Sequence, residues 1–160
     1  MHLYLVQHGA AKTETEDPQR GLTDEGRHSA ERMAEFLAAL GLALDRIEHS
    51  EKVRARQTAE ILASHLRPVR GTRQIVGIAP NDDVEPMCAR LAKESGNLML
   101  VGHLPYLSRL VARLLGLLAD WQVVRFEMGG TVRLDRQETE QWVVRWMLTP
   151  ELLPASLHDR

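Results

Sequence analysis

Two short apolar runs decide the fold: LYLVQHG at residues 3–9 and LMLVGH at residues 98–103. Each has four successive apolar positions, which is typical of a strand buried on both faces. Each then reaches a histidine, His8 or His103, beside a glycine or proline that favours a change of direction. A single histidine at a strand end usually satisfies a local hydrogen bond. Two on neighbouring parallel strands would share the edge of the sheet where open α/β folds bind ligands.

The remaining segments predict alternating helices and strands. Periodicity predicts helices over about 24–40, 51–66, 82–95 and 105–115, with Thr23 and Ser50 as N-caps. Strands are predicted at 45–49, 121–127, 131–135 and 141–147, whereas residues 70–81 are predicted to be irregular. The resulting order, β-α-β-α-α-β-α-β-β-β, predicts a three-layer α/β/α fold with a mixed, mostly parallel central sheet.

Length and composition restrict the class of protein. A chain of 160 residues and 18.1 kDa fits one domain over 1–160, with a loosely packed, peripheral tail over about 150–160. A net charge of −2 and 4% aromatic residues favour neither nucleic acid nor an anionic membrane as a partner. The single cysteine, Cys88, excludes an internal disulfide and a cysteine-rich zinc site, and we expect it to be a buried small hydrophobe.

Targeting signals are not evident in the sequence. The N-terminus lacks the pattern of a signal peptide, and no apolar run approaches the roughly 20 residues that span a bilayer, so we expect a cytoplasmic protein. The three tryptophans lie in predicted strands and are expected to pack in the core or at a sheet edge: Trp121, Trp142 and Trp146.

Five segments, in chain order, match the motifs of one enzyme group. LVQHG at 5–9 resembles its Arg-His-Gly signature, and RGLTDEG at 20–26 resembles Arg-Pro-Leu-Thr-x-x-Gly. SEKVRARQTA at 50–59 resembles Ser-Pro-x-x-Arg-Ala-x-Gln-Thr-Ala, PNDD at 80–83 resembles Pro-x-x-Asp, and VGHLP at 101–105 resembles Gly-His-x-Pro. The chain therefore resembles the histidine phosphatase superfamily, also called phosphoglycerate-mutase-like. Within it, the SixA-type phosphohistidine phosphatases are the most similar. The resemblance spans residues 3 to about 115.

The resemblance implies a phosphatase with His8 as the nucleophile that forms a phosphohistidine intermediate. Arg54 and His103 would contact the phosphoryl oxygens and stabilise the transition state. Asp83 is by position the candidate general acid, with Asp82 next to it. An equally weighted interpretation makes both carboxylates caps of the following helix. The implied substrate-binding residues are Gln7, Gly9, Arg20 and Ser50. No metal or other cofactor is required, and the other histidines are expected to be surface or structural residues: His2, His28, His49, His65 and His158.

Gln7 departs from the family motif, which has arginine directly before the nucleophile. Glutamine can donate a hydrogen bond to a phosphoryl oxygen but carries no positive charge. Losing one charge-assisted contact to the phosphoryl group typically costs about 2–4 kcal/mol of transition-state stabilisation. We therefore expect lower turnover with retained phosphate binding. Arg20, Lys12 or Arg56 could supply the missing charge, and Arg20 is the first candidate because it lies in a matched segment.

The length of the chain bears on the substrate. Only about 30 residues separate Gln57 from Cys88, too few for a large lid, so an open cleft is expected. An open cleft would admit a phosphohistidine side chain of a partner protein, of phosphorelay or phosphotransferase-system type. Phosphohistidine also needs little acid assistance to leave. Two alternatives stay open: a small-molecule phosphomonoesterase of the same superfamily, or a phosphate-binding pseudo-phosphatase of low activity. The sequence does not indicate the oligomeric state.

Overall fold

Helices and strands alternate along most of the chain. The structure is a computed structural model and describes residues 1–155. The strands are β1 (His2–Gln7), β2 (Arg46–His49), β3 (Thr72–Gln74), β4 (Leu98–Gly102), β5 (Thr131–Arg136) and β6 (Trp142–Leu148). The helices are α1 (Asp24–Ala39), α2 (Val53–Leu66), α3 (Glu85–Lys93) and α4 (Tyr106–Leu114), and a 3₁₀ helix follows at Pro150–Leu152.

The strands form one mixed sheet in the order β3-β2-β4-β1-β5-β6. The first four of these run parallel, whereas β5 and β6 are antiparallel to their neighbours. The sequence-based prediction of a mixed, mostly parallel sheet is confirmed. The two apolar runs that decided the fold are adjacent, because β1 and β4 pair directly.

Each face of the sheet is covered by two helices. Along β1, Leu3 and Leu5 pack with the buried side chains of α3 and α4, whereas Tyr4 and Val6 pack with those of α1 and α2. Successive residues of a strand point to opposite faces, so β1 contributes to both cores at once. This arrangement confirms the three-layer α/β/α fold. In the part of the chain that the structure describes, no helix is long and apolar enough to cross a membrane.

Some boundaries agree with the sequence and others do not. Thr23 caps α1 as predicted, since its side chain accepts a hydrogen bond from the Gly26 backbone N–H. Ser50 does not cap α2, which begins at Val53 after Lys52. Residues 72–74, predicted to be irregular, form the edge strand β3.

The predicted strand at 121–127 is wrong, because these residues contain no helix or strand. Trp121 is correspondingly 58% exposed, contrary to the expectation of core or edge packing. Trp142 and Trp146 pack partly buried against the two cores, as expected. Cys88 is likewise partly buried against the α3–α4 core, and burial raises the pKa of its thiol to about 11.

One residue of the C-terminal segment packs into the core. Leu153 is buried in the α1–α2 core, and the Arg32 guanidinium donates to the carbonyl oxygens of Leu153 and Pro154 at 2.9 and 3.0 Å. Leu153 is thus anchored, whereas Glu151, Leu152 and Pro154 are exposed, so the loosely packed tail stays a prediction. The rest of that prediction, residues 156–160, lies outside the described residues.

Candidate active site

The two predicted histidines meet at the carboxyl ends of β1 and β4. The parallel register places Gln7 opposite Gly102, so the next residue of each strand, His8 or His103, lies at the same edge of the sheet. Their ring centroids are 5.0 Å apart with an interplanar angle of 56°. Both are nearly inaccessible to solvent, with exposed fractions of 9% for His8 and 2% for His103. The sheet topology thus brings together two residues that are 95 positions apart in the chain.

His8 is held as a neutral ring with a defined tautomer. Its Nδ1–H donates to the Gly9 carbonyl oxygen at 2.7 Å. The Arg54 Nε–H donates to the other ring nitrogen, Nε2, at 3.3 Å. Burial, opposed by the Gly9 hydrogen bond and assisted by the nearby charges of Arg54 and Arg20, lowers the pKa of His8 to about 4. The ring therefore presents an unprotonated Nε2 toward Arg54 at neutral pH.

Helix α2 positions Arg54 and holds the loop after His8. Arg54 is the second residue of the helix, so its side chain extends from the N-terminal turn. One turn later, the Thr58 hydroxyl donates to the Arg54 carbonyl at 2.8 Å and accepts from the Gly9 N–H at 3.0 Å. Sequence analysis gave Thr58 no role, although it lies inside the matched segment at 50–59. The structure shows that it ties the helix to the histidine loop.

His103 is anchored by Ser50. The Ser50 hydroxyl and His103 Nε2 are 2.5 Å apart, and Ser50 Oγ also accepts from the Lys52 N–H at 3.3 Å. The other ring nitrogen, Nδ1, is buried and has no hydrogen-bond partner among residues 1–155. Burial lowers the pKa of His103 to about 3, and repulsion from Arg54, from Lys52 and from His8 when it is protonated acts in the same direction. Ser50 therefore serves the second histidine instead of capping α2.

Positive charge surrounds the two rings. Burial lowers the pKa of Arg54, and the Arg20 charge lowers it further, so these two guanidiniums lie close enough to interact. The positive charge of Lys52 lowers the pKa of His103, although Lys52 was not among the candidate site residues from the sequence. Three residues were proposed to supply the positive charge that Gln7 lacks, and of these only Arg20 lowers the pKa of His8. Arg56 pairs instead with Glu60, and Lys12 uses its backbone carbonyl to accept from Arg20.

Gln7 is buried at the base of the site, with 8% of its surface exposed. Its side-chain oxygen Oε1 has no hydrogen-bond partner in the described part of the chain. Its backbone is fixed on both sides, since its N–H donates to Gly130 and its carbonyl accepts from Gly129. An uncharged amide thus occupies a rigid position in which the family motif has a cation.

The glycine predicted to bind substrate is required by close packing. A Cβ on Gly9 would lie 2.9 Å from the Gly26 carbonyl oxygen, and a Cβ on Gly26 would lie 2.1 Å from the Ala10 carbonyl oxygen. Both distances are below ordinary contact, so neither position accepts a larger residue without a backbone shift. The start of α1 therefore packs directly against the loop that carries His8.

Asp83 makes no contact with the histidine pair. Its Oδ1 accepts from the Glu85 N–H, at the first residue of α3, and Asp82 accepts from the Ala79 N–H. Within residues 1–155, no hydrogen bond or ion pair joins Asp83 to His8 or His103. Asp83 therefore supports the start of α3, whereas Asp82 holds the preceding turn, and neither is the N-cap, which is Val84. Neither hydrogen bond provides a contact for the general-acid role. The same residues contain no group of three His, Cys, Asp or Glu side chains that could hold a metal ion.

Comparison with known proteins identifies the family. The model of the histidine phosphatase superfamily (branch 1) matches residues 3–75. The chain is 39% identical over 113 residues to an uncharacterized protein of Picosynechococcus sp., covering 66% of this chain and 67% of that protein. The chain belongs to the histidine phosphatase superfamily. It is also 36% identical over 66 residues to the mitochondrial serine/threonine-protein phosphatase PGAM5 of Rattus norvegicus, a match spanning 41% of this chain and 23% of that protein.

Solved structures of superfamily members share the whole fold. The protein histidine phosphatase SixA complexed with tungstate superimposes with a TM-score of 0.83 at 22% identity, covering 94% of this chain and 97% of SixA. A candidate SixA phosphohistidine phosphatase from Agrobacterium tumefaciens gives a TM-score of 0.75 at 26% identity, covering 93% and 97%. The alpha-ribazole phosphatase from Shigella flexneri gives a TM-score of 0.77 at 19% identity, covering 94% and 97%. This fold therefore serves phosphatases with different named substrates.

Proposed function

We propose that this protein hydrolyses phosphohistidine on a partner protein, through a phosphohistidine intermediate on His8. The observation that carries the proposal is the pairing of a neutral His8, whose Nε2 faces the Arg54 guanidinium, with His103 at a ring distance of 5.0 Å. Phosphoryl transfer to nitrogen needs an unprotonated ring and donors for the phosphoryl oxygens. Both requirements meet at this edge of the sheet.

In the first step, His8 Nε2 attacks phosphorus and the bond from phosphorus to the substrate nitrogen breaks. The Arg54 Nε–H that occupies Nε2 in the free protein turns to a phosphoryl oxygen, where a charge-assisted hydrogen bond is stronger than one to a neutral ring. The Nδ1–H bond to Gly9 keeps the ring oriented as positive charge develops on it. The leaving imidazole takes a proton from solvent.

In the second step, water attacks the phosphorus on His8 and releases phosphate, and His8 regains its neutral form. His103 donates to the phosphoryl oxygens, and Ser50 fixes its ring. Arg20 and Lys52 add positive charge beside the reacting group. These two cations support phosphate binding even though Gln7 carries no positive charge. Within residues 1–155 no carboxyl group hydrogen-bonds to His8 or His103, which favours a phosphorus–nitrogen bond over a sugar phosphate, because an alcohol leaves less readily than an imidazole.

The test is hydrolysis of a phosphorelay domain phosphorylated on histidine. The wild type should release phosphate, His8→Ala should be reduced to background, and the exposed His28→Ala should match the wild type. Glucose 6-phosphate serves as the small-molecule comparison and should be hydrolysed at least a hundredfold less efficiently in kcat/KM. Equal release by the wild type and His8→Ala would contradict the proposal and favour a phosphate-binding protein. Faster hydrolysis of the sugar phosphate would favour a small-molecule phosphatase.

A further inference from the structure

Away from the histidine pair, guanidinium groups surround one buried carboxylate. Glu48 of β2 is completely buried, and its Oε1 accepts from Arg46 at 2.9 Å, from Arg90 at 2.6 Å and from Arg73. Burial alone would raise the pKa of Glu48, but the hydrogen bonds from these three guanidiniums hold it at about 2. The carboxylate is therefore ionised at every physiological pH and fixes the arginines in place.

The cluster carries more positive charge than it neutralises. Arg70 lines the same cavity as Arg46, Arg73 and Arg90, so four guanidiniums face two carboxylates, Glu48 and Glu94. No hydrogen bond or ion pair engages the Arg70 side chain within the described residues. The cavity has a volume of about 370 Å³. A concentration of positive charge is therefore accessible in a chain whose net charge is −2.

A series of cavities connects this cluster with the histidine site. Ser50, which anchors His103, lines a small cavity of about 80 Å³ together with residues 75–79. Residues 75–77 also line the next cavity, of about 630 Å³, which ends at Arg73 and Arg90. These two arginines are in turn shared with the arginine-lined cavity. The three cavities adjoin one another through these shared residues along β3 and α3, and together they are here named the edge groove.

The edge groove lies on the open side of the sheet. β3 is the edge strand, and all three of its residues are exposed. Val76, beside it, is 84% exposed and offers apolar contact in the middle of the groove. From Ser50 to Arg46 is four residues along β2, so at roughly 3.3 Å per residue the two ends of the groove are about 13 Å apart. That length fits a short segment of a partner protein better than a single small molecule.

We propose that the edge groove docks an acidic segment of the phosphorylated partner, with its carboxylates on the arginine cluster, about 13 Å along β2 from Ser50. The identity of the segment as part of the substrate rests on the proposed function. Arginine recognises carboxylates through paired N–H donors, and the Glu48 hydrogen bonds hold these guanidiniums ready for such contacts. The positive end would also speed association with an acidic partner at low ionic strength.

Two features favour a protein segment over nucleic acid. The aromatic content of 4% provides few rings for stacking bases, and the edge groove contains carboxylates as well as cations. Asp82 and Asp83 line its middle cavity, and each is engaged by a backbone N–H at the turn before α3. They would repel a continuous phosphate backbone, whereas a segment with acidic residues at one end only avoids them.

The test uses a fluorescent hexapeptide with three consecutive glutamates, whose binding is followed by anisotropy. The perturbing variants are Arg70→Glu and Arg73→Gln. The matched control is Arg145→Gln on β6, at the opposite edge of the sheet. Arg145 has the same 61% side-chain exposure as Arg73 and also pairs with a carboxylate. We expect the double variant to weaken peptide binding at least tenfold and the control to change it by less than twofold. Added salt should reduce binding to the wild type.

Hydrolysis of phosphoramidate, which is too small to reach the arginines, is measured on the same proteins and reports on the proposed function alone. It should be unchanged in every variant, whereas KM for the phosphohistidine domain should rise at least fivefold in the double variant. Peptide binding that is equal in the wild type and the double variant, or lost equally in Arg145→Gln, would overturn the docking proposal even if phosphoramidate is hydrolysed normally. Tighter, arginine-dependent binding of a single-stranded RNA oligonucleotide would also overturn it. A protein that binds the peptide through the arginines but hydrolyses nothing would refute the catalytic proposal and leave the acidic-segment site supported.

Discussion

Acidification to pH 5.5 should leave both active-site histidines neutral in the free protein. His8 has a pKa of about 4 and His103 a pKa of about 3, because both rings are buried beside fixed cations. At pH 5.5 a pKa of 4 means that about 3% of His8 is protonated, whereas an ordinary histidine with a pKa near 6.5 would be about 90% protonated. The proposed nucleophile should therefore lose almost none of its reactive form.

The same shifts affect stability. Between about pH 4 and 6.5 the unfolded chain binds protons at position 8 that the folded chain excludes, so the free energy of unfolding falls as the pH falls through this window. The shift at His8 corresponds to about 3 kcal/mol when the window has been crossed, at about 1.4 kcal/mol per pKa unit. The contribution is fully present above pH 6.5. Between pH 7 and pH 5, urea unfolding should show about 2 kcal/mol of this loss from His8.

The direct assay is an NMR titration of the histidine ring signals from pH 4 to 8. His8→Asn and His103→Asn assign the signals by their disappearance. Two rings should show no midpoint above pH 5, and phosphate should raise both midpoints because a bound anion favours the protonated ring. Midpoints near 6.5 for His8 and His103 in the free protein would refute the reasoning that burial and the surrounding cations keep these rings neutral.

Three substitutions test separate parts of the structure. Gln7→Arg should raise kcat/KM for phosphoramidate at least tenfold by restoring a charge-assisted contact, and a rise below threefold would show that Gln7 does not limit the rate. Ser50→Ala should lower kcat by about five- to a hundredfold, because it removes the hydrogen bond to His103, whose other ring nitrogen already has no partner among residues 1–155. The range follows from the roughly 1–3 kcal/mol cost of an unsatisfied buried group. An unchanged kcat would mean that Ser50 does not position that ring. Glu48→Gln should reduce the free energy of unfolding by about 3–5 kcal/mol, because it leaves three guanidiniums without their buried counter-charge, and a loss under 1 kcal/mol in urea unfolding would contradict this.

The sequence predicted the sheet core and the histidine pair because strong local patterns specify both. Four consecutive apolar residues leave few alternatives to a strand buried on both faces, and β1 and β4 have this pattern. Alternation was insufficient at 121–127, where the apolar residues Trp121 and Val123 are followed out of step by Val124 and Phe126, and where no neighbouring strand pairs with them. The three residues of β3 carry no apolar pattern, since all are exposed, and only their pairing with β2 defines them as a strand.

Side-chain roles were less accessible than the fold. Ser50 precedes a helix and fits a cap by sequence, yet its hydroxyl contacts His103, 53 residues later in the chain. Thr58 contacts Gly9 over 49 residues, a pairing that no local pattern predicts. The sequence did not predict the arginine cluster either, because its members come from separate elements and Glu48 lies in a strand with only a weak sequence pattern. Long-range packing fixes these contacts, and a single sequence records them only as isolated polar residues.

The most direct test of the proposed chemistry is to look for the phosphoryl group on His8. A phosphorelay domain carrying radioactive phosphohistidine is mixed with an excess of the protein, quenched in alkali within milliseconds to seconds, and digested. Transfer through the proposed intermediate predicts acid-labile, alkali-stable label on the peptide containing His8 before free phosphate accumulates, and no label on that peptide in His8→Ala. The mechanism through this histidine would be contradicted if the wild type released phosphate without label at position 8 and His8→Ala released phosphate equally fast.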